Sequence, residues 1–188
     1  NSYTLNKNTY QISTSKQAVS ISYTMNNGYA MNTSNNIGVW PFVGVLGLSV
    51  GADDPTYNSF NIPINAIGNV VVTVPEPEKI QYTIFTADFS LIKGINSFSV
   101  APNNYYIMDS IFSQTINTTM VLNPGYSYPT ANLTVSSAIP NIISNITNTS
   151  FKIIQNGYGN MTVTPSVPPV IEYGISISPV NIPGYTTS

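Results

Sequence analysis

The chain has 188 residues, of which 42% are hydrophobic and only 6% charged, and its formal net charge is −2. It contains no cysteine and no histidine, which excludes disulfides and thiolate nucleophiles and removes the commonest general base and transition-metal ligand. Its five basic residues are scattered lysines, which are too few and too dispersed to replace the counterions of a nucleic acid. We therefore expect no metal site and no nucleic-acid partner.

The acidic residues offer little for catalysis. Asp53 and Asp54 form one pair and Glu76 and Glu78 another, and both pairs lie beside prolines in predicted turns. A glycosidase needs two carboxylates that face each other across a cleft, and turn carboxylates are typically solvated instead. We expect the protein not to be an enzyme, with no catalytic residues, and a secreted glycosidase is a disfavoured alternative.

The first 16 residues differ from the rest of the chain. They are polar apart from Tyr3, Leu5, Tyr10 and Ile12, and they contain no glycine or proline that would force a turn. We interpret residues 1–16 as an extended N-terminal tail and residues 17–188 as one head domain. We also expect Asn1 to follow a cleaved signal peptide, which predicts an extracellular or cell-surface protein.

Beyond the tail, apolar and polar residues alternate with a period of two, which is typical of half-buried β-strands. The alternating or β-branched runs are residues 19–25, 69–74, 80–86, 132–135, 160–164 and 171–177, and the last is the cleanest amphipathic pattern. Turn signals separate these runs at intervals typical of sandwiches. The sequence therefore predicts an all-β protein, with a β-sandwich of Greek-key type as its architecture.

Two local features carry further predictions. Asn156 and Gly157 predict a tight hairpin. The longest apolar stretch, residues 37–50, is interrupted by glycines and a proline, so no segment approaches the roughly 20 apolar residues of a membrane-spanning helix. We expect Trp40 and Phe42, which lie in this stretch, to anchor the core.

Asn-X-Ser/Thr sequons are clustered in the second half of the chain. They begin at Asn32, Asn117, Asn132, Asn145, Asn148 and Asn160. In three of them the middle residue is apolar, so in a strand it points inward while the asparagine and threonine share the solvent face. We expect covalent N-linked glycans at these sites, which would supply the solubility that the missing charges do not, and we expect no other cofactor.

A chain that lacks cysteine and histidine, is rich in Asn, Ser, Thr and Tyr, is almost uncharged and carries clustered sequons resembles an extracellular filament subunit of a thermoacidophilic archaeon. It is most similar to the archaeal thread, a glycosylated pilus built by donor-strand complementation, and the resemblance is one of overall character along the whole chain. It implies a pilin-like or Ig-like β-sandwich head with an open groove, which the N-terminal tail of a neighbouring copy fills as an extra strand.

The resemblance implies specific roles for the tail. Residues 1–16 would be the donor strand, Tyr3, Leu5, Tyr10 and Ile12 the donor-strand contacts, and identical subunits in a helical homopolymer the partners. The apolar residues change parity between Leu5 and Tyr10, so a bulge or two contact zones would be needed, and residues 171–177 keep a C-terminal donor open. The function implied is adhesion or cell–cell contact. The alternatives are a non-polymerising S-layer or sugar-binding domain and a virion coat protein.

Overall fold

All regular structure in the described part of the chain is β. The computed structural model describes residues 1–41, 54–108 and 112–176. Its strands are β1 (Ser2–Leu5), β2 (Gln17–Thr24), β3 (Tyr29–Ala30), β4 (Gly38–Pro41), β5 (Ser59–Ile62), β6 (Val70–Thr73), β7 (Glu78–Lys79), β8 (Gln81–Thr86), β9 (Ile95–Ala101), β10 (Asn104–Tyr106), β11 (Gln114–Leu122), β12 (Thr134–Ser137), β13 (Ile143–Ser144), β14 (Ser150–Ile153) and β15 (Met161–Thr164). The prediction of an all-β protein is confirmed.

Several strands lie where the alternation predicts them. The run at residues 19–25 forms most of β2, in which Val19 and Ile21 are buried while Ser20 and Ser22 are exposed. The runs at residues 80–86 and 160–164 contain β8 and β15. These runs bury one face only, and this one-sided burial produces a period-two pattern in the sequence.

Two four-stranded sheets share the larger of two hydrophobic clusters. One sheet has the order β10-β8-β15-β12 and the other β13-β14-β11-β9. Both contribute side chains to one cluster, whose buried members are Ile84, Ile95, Phe98, Val100, Tyr105, Ile116, Met120, Leu133, Ile142, Phe151, Ile153, Met161 and Val163. The residues that pack together here all come from the segment that follows residue 80.

One pairing in the larger cluster is parallel. β15 pairs with β8 in parallel, with Met161 opposite Ile84, whereas β12 pairs with β15 antiparallel.

The hydroxyl of Tyr105 donates a hydrogen bond to the carbonyl oxygen of Gly159. Burial, and to a smaller extent the neighbouring phenol of Tyr82, raises the pKa of Tyr105 to about 12.

The smaller cluster is formed by residues that precede Pro75. Its buried members are Val19, Ile21, Ile37, Phe60 and Ile62, which come mainly from the sheet β1-β2-β5. The two-stranded sheet β4-β6 adds partly buried valines.

The prediction that Trp40 anchors the core is wrong. Its side chain is 64% exposed. Val39 packs against the smaller cluster, and because successive side chains of a strand point to opposite faces, Trp40 is directed away from it. Phe42, the other predicted anchor, lies outside the described residues.

The segments that carry the two clusters meet at a junction near β3 and β7. The pair β3-β7 joins them, and the backbone N–H of Ile80 donates to the carbonyl of Gly28 at 2.9 Å. Across the same junction the Nδ2 of Asn27 donates to the Tyr158 hydroxyl at 3.0 Å. Residues 75–77, Pro-Glu-Pro, connect the two segments, and such a proline-containing connection is stiffer than an ordinary loop.

The predicted hairpin at Asn156 and Gly157 is also wrong. These residues do form a turn, with Asn156 at φ 58°. However, the strands on either side, β14 and β15, belong to different sheets. The turn therefore carries the chain from one sheet to the other and does not join two paired strands.

Candidate assembly strands and glycosylation sites

The N-terminal tail begins with an edge strand on its own chain. β1 pairs antiparallel with β2, from Ser2 opposite Thr24 to Leu5 opposite Ile21. The four side chains of β1 are all exposed. Within the described residues, β1 is therefore held by backbone hydrogen bonds, with little burial of its side chains.

The four predicted donor-strand contacts do not form one apolar face. Tyr3, Leu5 and Ile12 are exposed. Tyr10 is partly buried and packs against the smaller cluster of its own chain, where its hydroxyl donates to the carbonyl of Gly68. A role of these residues in another copy stays a prediction, and in the single chain only Tyr10 is engaged in the core.

The segment at residues 171–176 is exposed and forms no regular secondary structure. It is anchored at its start, where the N–H of Ile171 donates to the carbonyl of Gly125 at 2.8 Å and Val170 forms a bridge with Tyr126. Beyond that anchor Tyr173 is 76% exposed and Ile175 is 98% exposed. Ile171, Tyr173 and Ile175 are two residues apart, so an extended chain presents them on one face.

The sequence predicts a strand at residues 171–177, and the prediction is wrong for residues 171–176, which form no strand. Residue 177 lies outside the described residues. A strand requires a hydrogen-bonding neighbour as well as an alternating pattern, and past Ile171 none of the described strands pairs with this segment.

The six sequons differ in how accessible their asparagine side chains are. Asn117, Asn132, Asn145 and Asn160 are exposed, whereas Asn32 and Asn148 are half-buried. The Oδ1 of Asn160 accepts a hydrogen bond from the N–H of Thr83 at 2.8 Å, and the Oδ1 of Asn32 accepts two from the turn that follows it. A glycan is attached through Nδ2, so bonds accepted by Oδ1 are compatible with it.

The burial pattern around three sequons has the expected parity. Leu133 and Met161 are buried, and Ile146 packs against the larger cluster. The asparagine that precedes each of them is exposed. The three asparagines are exposed as expected, although none of them lies in a described strand, and their modification stays a prediction.

Four sequons are brought together around β11 and β14. Asn117 lies opposite Ser150, and the N–H of Leu133 donates to the carbonyl of Thr147 at 2.8 Å. These contacts gather the sequons that begin at residues 117, 132, 145 and 148. Glycans there would cover one region of the larger cluster's surface.

We expect Asn132 to be glycosylated to a higher fraction than Asn148. The Nδ2 of Asn148 is half-buried and donates to the carbonyl of Pro129 at 2.9 Å, so attachment of a sugar competes with a native hydrogen bond. Asn132 is exposed with an exposed threonine two residues on. Mass spectrometry of glycopeptides from the native protein would measure both fractions, and an Asn148 fraction equal to or above that of Asn132 would contradict the expectation.

Acidic side chains in the described residues lie at the surface. Asp54, Glu76, Glu78, Asp88 and Glu172 are all exposed, and no group of three or more potential metal-ligating side chains occurs in the described ranges. Hydrogen bonds from the N–H and hydroxyl of Ser90 hold the pKa of Asp88 below its ordinary value. Asp53 and Asp109 lie outside the described residues.

No helix in residues 1–41, 54–108 or 112–176 is long and apolar enough to cross a membrane. No protein-family model, no curated protein and no solved structure matches this chain.

Proposed function

We propose that this chain is a structural subunit of an extracellular, glycosylated filament of the archaeal thread type, in which a terminal strand of one copy completes a sheet of the next. The observation that carries the proposal is the set of exposed, alternating apolar side chains at residues 171–176. Tyr173 is 76% exposed and Ile175 is 98% exposed, and an alternating apolar segment of this kind is suited to pairing with the sheet edge of another molecule.

The N-terminal tail is the second segment suited to exchange. β1 pairs with β2 while its own side chains remain exposed. Moving β1 to the β2 strand of a neighbouring copy would restore the same backbone hydrogen bonds in the same register. Such an exchange changes the free energy little, because every hydrogen bond that breaks within one chain forms again between two copies.

The surface composition supports an extracellular structural role. Only 6% of residues are charged, against roughly 25% in ordinary soluble proteins, and clustered glycans would supply the missing hydration. The partners we propose are identical subunits joined head to tail, and the function is adhesion or cell–cell contact. Neither catalysis nor nucleic-acid binding forms part of this function.

The proposal predicts that native material contains filaments and that their assembly depends on a terminal segment. We expect the double variant Tyr173→Lys with Ile175→Lys to reduce filament yield in electron micrographs by at least about tenfold. Each lysine would have to lose its hydration at the interface between two copies, which is unfavourable. Deletion of residues 1–5 tests the other terminus. Circular dichroism of each variant checks that the monomer is folded.

Leu91→Lys is the matched control, since Leu91 is 88% exposed and lies in neither terminal segment. Its filament yield should equal that of the unmodified chain. Normal assembly by both terminal variants, or the absence of filaments from native material, would contradict strand exchange.

A second candidate is a non-polymerising cell-surface or S-layer domain, and one observation favours it. The pairing of β1 with β2 in the same chain satisfies the N-terminal strand without a neighbour. This candidate predicts a single monomer peak in light scattering at every concentration tested, whereas a filament subunit gives a mass that rises with concentration.

A further inference from the structure

The junction between the two clusters contains an open cleft of about 630 Å³. One wall is the turn that precedes β3, and the other is the turn between β14 and β15. The residues that line it are Met25, Asn26, Asn27, Tyr29, Ile107, Asn156 and Tyr158. Ligand sites occur preferentially at such junctions, and this volume lies within the range of about 300–1,000 Å³ that is typical of them.

The lining is polar but carries no carboxylate, lysine or other strongly charged group. Three of its side chains are carboxamides, from Asn26, Asn27 and Asn156, and all three residues are exposed. Each carboxamide can donate and accept hydrogen bonds, and each phenol can do both through one oxygen. Such a lining offers nothing to neutralise a charged ligand, whose desolvation would be unfavourable.

Backbone hydrogen bonds hold these groups in place. The N–H of Tyr29 donates to the carbonyl of Asn26 at 3.2 Å, which closes the first turn, and the N–H of Asn156 donates to the carbonyl of Met108 at 3.1 Å. The bond from Asn27 to Tyr158 joins the two walls. The backbone of both walls, and the side chains of Asn27 and Tyr158, are therefore held before any ligand arrives, which lowers the entropy cost of binding.

We propose that this cleft binds a neutral oligosaccharide. Hydroxyl groups on adjacent sugar carbons match carboxamides that donate and accept together. The phenol rings and the side chain of Met25 offer apolar surface to the C–H faces of a sugar ring. No residue of the terminal segments lines the cleft, although the Oδ1 of Asn1 accepts a hydrogen bond from the N–H of the lining residue Asn26 at 2.6 Å.

The test is a titration of the full chain, produced without glycans, followed by NMR or calorimetry. The probes are trisaccharides of glucose, mannose and N-acetylglucosamine, with a trisaccharide of glucuronic acid as the charged comparison. We expect at least one neutral trisaccharide to bind and the charged one to bind more weakly. Absence of binding by every neutral probe, or tighter binding of the charged one, would overturn the proposal.

Variants locate the site. Asn156→Gly removes a carboxamide while glycine tolerates the left-handed φ of 58°, and we expect the dissociation constant to rise about fivefold or more, as for removal of a hydrogen bond. Tyr158→Phe keeps the ring and removes the hydroxyl, with an effect of similar direction. Asn96→Ala, at an exposed position of β9, is the control and should bind as the unmodified chain does. Unchanged binding by both cleft variants would place the sugar elsewhere and overturn the proposal.

The sugar could come from a neighbouring copy or from another surface. Glycans released from the native protein are therefore added as competitors of the bound trisaccharide. Competition would support a neighbouring copy's glycan as the source, and its absence, with the trisaccharide still bound, would support a foreign polysaccharide.

Discussion

Replacement of Phe151 with alanine is expected to lower the free energy of unfolding by about 3–5 kcal/mol. Phe151 is 0% exposed and lies opposite Ile116, which is equally buried. Both side chains belong to the cluster shared by the two four-stranded sheets, so truncation would leave a cavity that neither sheet can readily close. Whole domains have a free energy of unfolding of only about 5–15 kcal/mol. The substitution would therefore remove a large fraction of the free energy that keeps this part of the chain folded.

Denaturant unfolding followed by circular dichroism measures this destabilisation. Phe85→Ala is the matched control, because Phe85 is on β8 in the same cluster's sheet but is 50% exposed. We expect the control substitution to lower the free energy of unfolding by less than about 1 kcal/mol. Equal destabilisation of the two variants would show that Phe151 does not pack as the structure has it.

Phe151→Ala also tests whether the two clusters unfold separately. The chain has one tryptophan, Trp40 on β4, and Val39 beside it packs against the smaller cluster. We expect the transition seen by tryptophan fluorescence to shift less than the transition seen by circular dichroism. Coincident shifts would indicate that the two clusters unfold as one cooperative unit.

Replacement of Gly28 with alanine is the second substitution with a large expected effect, a destabilisation of about 2–4 kcal/mol. Gly28 has φ 83°, and a Cβ there would lie 2.6 Å from the Cδ1 and 2.9 Å from the Cβ of Ile107. The left-handed backbone is strained for alanine, and the close contact adds a steric cost at the junction between the clusters.

Gly125→Ala separates these two costs. Gly125 has a nearly equal φ of 86°, but a Cβ there would meet nothing within 4 Å. We expect it to show only the conformational cost, about 1–2 kcal/mol. In a thermodynamic cycle, the double variant Gly28→Ala with Ile107→Ala should lose less stability than the sum of the losses in the two single variants. If Gly28→Ala and Gly125→Ala destabilise equally, close packing of Gly28 against Ile107 does not hold the junction together.

Local burial explains which strands could be predicted from the sequence. β2, β6, β8 and β15 have alternating or β-branched sequences, and the predicted runs include most or all of each. At residues 171–176 the pattern is just as regular, yet no strand forms there, because alternation describes a side-chain face and carries no information about a hydrogen-bonding neighbour.

Long-range packing explains what could not be predicted. The separation of apolar residues into a cluster before Pro75 and a cluster after residue 80 depends on contacts between distant strands. Local periodicity contains no such information, and the predicted boundary between residues 16 and 17 remains a prediction. The cleft at the junction could not be predicted for the same reason, since Asn27 and Tyr158 are 131 residues apart in the chain.

The position of β15 has a consequence for biosynthesis. β15 is the last of the described strands, yet it lies inside its sheet, between β8 and β12. While the chain is being made, β8 and β12 have unsatisfied edges until the segment at Met161–Thr164 emerges and inserts between them. Closure of so distant a pairing is slow, and a chain with such open edges is prone to aggregate. We therefore expect the growing chain to need protection from a chaperone until residues 161–164 have been made.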